Sequence, residues 1–142
     1  MAKDEPDRLY IRRSDRQDYD MILGKGSPLE GKETKVAFLM SMVTGYGEGK
    51  ELELGTQRDG YVRTEYLTET EKTIIKAIAV QKKGTLDILQ DKKEVYSIAE
   101  RYAAGGLESL KNHLFSGEHG SFEKTTELQL RSLAERSATT VQ

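Results

Sequence analysis

Hydrophobic residues along the chain fall into a few dense blocks separated by charged and glycine-rich stretches. The densest, Val36-Ala37-Phe38-Leu39-Met40-Ser41-Met42-Val43, covers most of a helix circumference. It predicts a helix from Lys32 to about Thr44, central in the fold because it is apolar all round, with Gly45 as its stop. Ile74, Ile75, Ile78 and Ala79 repeat at helical spacing behind Thr68-Glu69-Thr70-Glu71, a capping-box start, so a second helix is expected from Glu69 to Lys82 with Gly84 ending it. Asp91 can cap a third, running to about Ala104 on a stripe of Val95, Ile98, Ala99 and Tyr102 and broken by Gly105-Gly106. Leu107, Leu110, Leu114 and Phe115 then mark a further short helix. After a hinge at Gly117 to Gly120, Ser121 opens a last helix carrying Phe122, Leu128 and Leu133.

The remaining segments are weaker in pattern. Ser14 is placed to cap a short helical turn that presents Tyr19, Met21, Ile22 and Leu23 to the body. Glu51-Leu52-Glu53-Leu54 alternates as a strand does, and an extended piece at Tyr61 to Thr64, after Gly60, is its expected partner. The fold class expected is therefore mainly α, with α+β as the variant. It is a compact domain of four to five helices with a small two-stranded β element around residues 51–64. Residues 1–11 are expected as a disordered arm, 12–136 as one mainly helical domain, and 137–142 as a flexible tail.

Composition narrows the classes of function. With 142 residues the chain is long enough to bury a core without staples, and 36% hydrophobic against 32% charged residues fits a folded, polar domain. The absence of cysteine removes disulfides, thiolate metal sites and thiol nucleophiles, and fits a reducing compartment. The charged N-terminus lacks the apolar segment of a secretory signal and no stretch is long enough to span a bilayer, so a cytoplasmic protein without membrane contact is expected. A net charge of −2 exerts no bulk pull toward nucleic acid, so any DNA contact must be local.

Familiar catalytic motifs fail at particular positions. Gly24-Lys25-Gly26-Ser27 lacks the phosphate-loop glycine, where Tyr19 stands, and the hydroxyl residue after the lysine, where Gly26 stands. Gly45-Tyr46-Gly47-Glu48-Gly49-Lys50 misses the last dinucleotide-loop glycine and follows a helix where that loop follows a strand. His113 and His119, the two histidines, are too few for a hydrolytic metal centre, and the Ser109/His113 pair lacks an orienting acid. Carboxylate pairs such as Asp87/Asp91 and Glu94/Glu100 are most simply solvated charge. No catalytic residue, metal or cofactor is assigned. Two basic groupings remain as candidate DNA- or partner-binding surfaces. One is the stripe Lys72, Lys76 and Lys83, with Lys82, Lys92 and Lys93 nearby; the other is Arg12, Arg13, Arg58 and Arg63, if the arm folds back onto the Gly60 turn.

Taken in order, a series of landmarks carries a resemblance. Arg12-Arg13-x-Asp15-x-x-x-Tyr19 precedes Phe38 in the apolar helix ending at Gly45-Tyr46, then Arg63 ahead of a leucine, then Ile78-Ala79. The series closes on Ile98-Ala99-Glu100-Arg101-Tyr102-Ala103-Ala104-Gly105-Gly106-Leu107-x-x-Leu110. From about Arg12 to Phe115 the chain resembles the small accessory proteins encoded with DNA phosphorothioation (Dnd) systems, the Dnd system-associated proteins. The resemblance implies a noncatalytic accessory or adaptor role in a prokaryotic modification-restriction defence system, acting by contact with its proteins. The alternative is a small DNA-binding regulator of such a locus, using the Lys72, Lys76, Lys83 face. It implies no catalytic residues, and a homo-oligomer is compatible with it. Within the motif, Tyr102 is expected in the core, Glu100 paired with an arginine such as Arg63, and Gly105 and Gly106 as a helix cap and turn.

Overall fold

The structure is a computed structural model that describes residues 5–116 together with 133 and 134. Around a central helix it arranges β1 (Arg8–Arg12), α1 (Arg16–Leu23), α2 (Thr34–Glu48), β2 (Arg58–Arg63), α3 (Glu69–Lys83) and α4 (Lys92–Leu114), with short 3₁₀ turns between several of them. The mainly helical class with one two-stranded antiparallel sheet is as the pattern predicts. Among the described residues no helix is long and apolar enough to cross a membrane.

α2 is the all-round apolar segment, and every residue from Ala37 to Gly45 is buried in it. The buried Thr44 finds an acceptor within the helix, its Oγ1 donating to the Met40 carbonyl at 2.7 Å. The helix does not stop at Gly45. It continues to Glu48 and ends where Gly49 turns left-handed at φ 66°. Gly45 serves a different purpose, the approach of α4: a Cβ there would lie 2.0 Å from the Tyr102 carbonyl oxygen. From the other side, a Cβ on Gly106 would lie 2.1 Å from the Ser41 oxygen, and one on Gly105 would lie 2.0 Å from the Lys50 oxygen. Glycine costs a helix interior about 1 kcal/mol relative to alanine, and here the close backbone packing of α2 on α4 offsets it. Gly105 and Gly106 therefore do not cap a helix at Ala104. α4 runs unbroken through them for 23 residues, absorbing the separate helix expected around Leu107 to Phe115.

α3 and the start of α4 match their sequence signals. Glu71 N–H donates to Thr68 Oγ1 at 3.1 Å and Thr68 N–H to Glu71 Oε1 at 2.8 Å, the reciprocal capping box. Asp91 Oδ1 accepts from Glu94 N–H at 3.1 Å. At the start of α1, by contrast, Ser14 is not the cap: residues Arg13–Asp15 form a 3₁₀ turn, and Asp15 is buried as the acceptor of two bonds from Arg12. Tyr19 and Ile22 turn inward while Met21 stays exposed. Tyr19 packs on Tyr61 with ring centroids 4.7 Å apart.

The sheet departs most from expectation. Its strands are β1 and β2, with Leu9 opposite Val62 and Tyr10 opposite Gly60, and a bulge leaves Tyr61 without a counterpart. Glu51–Leu54 forms no strand; Leu52 N–H donates to the Arg101 carbonyl of α4 instead. Within the arm, residues 8–11 belong to β1, and Leu9 and Ile11 alternate inward to the core at 0% and 3% exposure. Leu133 is buried against the same core, while residues 121–132 of the helix expected from Ser121 and the tail from 137 lie outside the described residues.

Candidate functional site

The sheet register does fold the arm onto the Gly60 segment, setting Arg12 opposite Arg58 and Arg8 opposite Arg63. Most of these cations are already matched. Arg12 forks onto Asp15 at 2.9 and 3.0 Å, Arg13 meets Asp59 at 3.1 Å, and Arg63 meets Glu65 at 3.5 Å in the open. Arg58 turns to the Gly55 carbonyl, which accepts from Nη2 at 2.7 Å and from Nε at 3.1 Å. The lysine stripe is interleaved with acids too: Lys72 with Glu5 at 3.5 Å, Lys83 with Glu94 at 3.7 Å, and Lys82 with Glu51 at 2.5 Å. Lys76 is exposed and forms no ion pair among the described residues. Glu51 also receives Arg101 at 3.0 Å, and Arg101 reaches Glu94 at 3.3 Å, tying the segment after α2 to α3 and α4. Burial works to raise the Glu51 carboxyl, and the hydrogen bonds from Lys82 and Arg101 outweigh it, leaving it below its ordinary value.

Three clefts share Glu5 and run side by side across this face. The largest, about 600 Å³, lies between the chain from Glu5 to Tyr10 and the first half of α4, with Arg58 at its edge. A second of about 440 Å³ takes in Arg63 and Lys72, and a third of about 110 Å³ takes in Lys72, Lys76 and Lys92. Arg58, Arg63, Lys72 and Lys76 are thus brought to one side of the molecule. Arg12 lines a separate cleft with Asp18 and Lys111.

Glu100 forms a wall of the largest cleft and is only 7% exposed. Its Oε2 accepts from the Tyr10 backbone N–H at 2.7 Å, a bond that joins α4 to β1 across ninety positions of sequence. It is not paired with Arg63. The guanidinium that faces it is Arg58, held off by Gly55, and no ion pair to Glu100 exists among the described residues. Burial pushes its carboxyl up to about 7, against the opposing pull of the Tyr10 N–H, Arg58 and Arg101. Beside it the Tyr96 hydroxyl donates to Glu5. Tyr102 lies in the core as expected, edge-on to Tyr46 at 5.5 Å.

Residues 32–141 match the family described as DNA sulphur modification system-associated protein 4. The chain belongs to this family. No curated protein and no solved structure matches it. The stretch shared with these system-associated proteins contains α2, β2, α3 and α4, hence the glycine contact, Glu100, and Arg58, Arg63, Lys72, Lys76 and Lys83. Arg12, Arg13 and β1 precede it, and at its other end it extends past Phe115.

For this associated protein the geometry bears on the catalytic pairs considered above. Ser109 Oγ donates to Glu48 Oε1 at 3.0 Å, Asp91 is committed to its helix cap, and Glu94 to Arg101 and Lys83. Among the described residues no cluster of three or more metal-ligating side chains occurs; His119 lies outside them. Tyr10, Tyr96 and Glu5 were missed in the sequence. One signal for the site was available. Tyr96, Glu100, Ala103 and Leu107 repeat at helical spacing, so Glu100 is the single charge in an otherwise apolar second stripe of α4.

Proposed function

We propose that this protein serves its DNA sulphur modification system as a noncatalytic adaptor that works by contact with the system's proteins. Membership of the system-associated family supplies the setting. The observation that favours protein contact over DNA contact is the matching of basic by acidic side chains across the candidate face. Lys72, Lys82, Lys83, Arg12, Arg13 and Arg63 each already hold a carboxylate partner. Affinity for duplex DNA comes mainly from unneutralised cations that displace counterions from phosphates, and pairs of this kind supply few. Mixed, partly buried charges beside open clefts instead suit the polar rim of a protein interface.

The test has two arms. A labelled duplex titrated with the protein between 50 and 200 mM salt should show no saturable binding at the lowest salt. Purified modification and restriction proteins of the same system should include at least one that co-elutes with it. Tight, steeply salt-dependent DNA binding would favour the regulator of such a locus, and failure of every purified partner would remove the adaptor reading.

A further inference from the structure

The buried carboxylate of Glu100 does more than its structural role requires. The Tyr10 N–H needs an acceptor, and the amide oxygen of a glutamine would serve as well without the cost of desolvating a charge. Only Oε2 is used for that bond; Oε1 accepts no hydrogen bond among the described residues. The charge therefore faces a cleft of about 600 Å³, within the range of about 300–1,000 Å³ typical of sites for small groups.

Among the described residues no cation forms an ion pair with Glu100. Arg58 is engaged with Gly55, and Arg101 with Glu51, Glu94 and Ser97. The stem of Arg8 lies over Gly60, where an added Cβ would come within 2.7 Å of its Cδ. Of the five carboxylates that line the cleft, Glu5 holds Lys72, Glu94 holds Arg101 and Lys83, and Asp91 caps α4, which leaves Asp7 and Glu100 as the two not so engaged. Tyr10 and Tyr96 add aromatic rings to its walls.

We propose that the cleft between β1 and α4 is a socket for one arginine side chain of a partner protein, with the Glu100 carboxylate as counter-charge. The proposal rests on the protein-contact reading above and gives the partner a chemistry. Arginine fits better than lysine, because a planar guanidinium donates to a carboxylate oxygen while stacking on an aromatic ring, and gives up its hydration more readily than an ammonium.

The test is an amide-resolved NMR titration of the full chain at pH 8 with N-acetyl-arginine amide, and with N-acetyl-citrulline amide as the uncharged isostere. Saturable shifts centred on Tyr10, Tyr96 and Ser97, with dissociation in the millimolar range, are expected for the arginine probe only. Glu100→Gln should weaken them at least tenfold. Tyr10→Ala, which keeps the backbone N–H and trims an exposed wall, should weaken them several-fold and decides the matter should the first variant not fold. Equal shifts from the citrulline probe, or unchanged affinity in the variants, would overturn the socket. The two proposals fail separately. A wild-type protein that saturates with the arginine probe but captures none of the purified system proteins keeps the socket and loses the adaptor reading. One whose capture of a partner is untouched by Glu100→Gln keeps the adaptor reading and loses the socket.

Discussion

Glu100 makes the stability of this protein depend on pH in a direction opposite to that of most carboxylates. In the unfolded chain its carboxyl titrates near 4.5, and in the folded chain burial first of all raises it to about 7. Below 4.5 both states hold the proton and there is no penalty. Between 4.5 and 7 the unfolded chain releases its proton while the folded chain keeps it, so unfolding gains and stability falls as pH rises. Above 7 the folded chain carries the buried charge and the penalty is complete. The gap corresponds to about 3 kcal/mol, a large share of a stability of about 5–15 kcal/mol for a domain. Urea denaturation of the wild type and Glu100→Gln at pH 5, 6, 7 and 8 isolates the effect, since every other titrating group cancels in the difference. The variant should gain on the wild type progressively across the series, by up to about 3 kcal/mol at pH 8. A difference that stays constant within about 0.5 kcal/mol from pH 5 to 8 would refute the assignment of a buried, unpaired carboxylate.

Other substitutions test the packing directly. Gly106→Ala and Gly45→Ala should each destabilise by more than about 3 kcal/mol in denaturant unfolding, because the added methyl meets helix backbone at about 2 Å. Were these glycines left-handed helix stops, alanine would cost only about 1 kcal/mol, the strain of a Cβ in the left-handed region. Thr68→Ala removes one half of the capping box and should cost about 1 kcal/mol, read as a lowered melting temperature. Arg101→Met breaks the links to Glu51 and Glu94 while keeping an apolar stem, and a loss of about 2 kcal/mol is expected, with faster proteolysis between residues 50 and 57 as a second readout.

The elements legible in the sequence were those whose signal is local. Thr68 and Glu71 announce α3 because the capping box is made within four residues, and Asp91 announces α4 for the same reason. The apolar run from Val36 to Val43 also identified α2 as the central helix, since a surface helix would need a polar face. The order of landmarks across the chain sufficed for the family resemblance, which the match over residues 32–141 bears out.

What the tertiary structure decided were features that join distant residues. Glycine is locally ambiguous: at Gly49 it ends a helix, at Gly45 and Gly106 it lets two helices touch, and at Gly105 it lets the segment after α2 pass close to α4, and only the partner backbone distinguishes the cases. Leu9 and Ile11 are too few apolar positions in a charged arm to declare a strand until Val62 and the core lie against them. Glu51–Leu54 alternates as a strand does, yet it spends its polarity on α3 and α4. The candidate site is the extreme case. Glu100 is one acid among many in sequence, and only the passage of β1 beside α4 buries it, gives it the Tyr10 N–H and opens the cleft in front of it. Local hydrogen bonding and periodicity are encoded within a few residues, whereas desolvation of a charge depends on which surfaces the whole chain brings together.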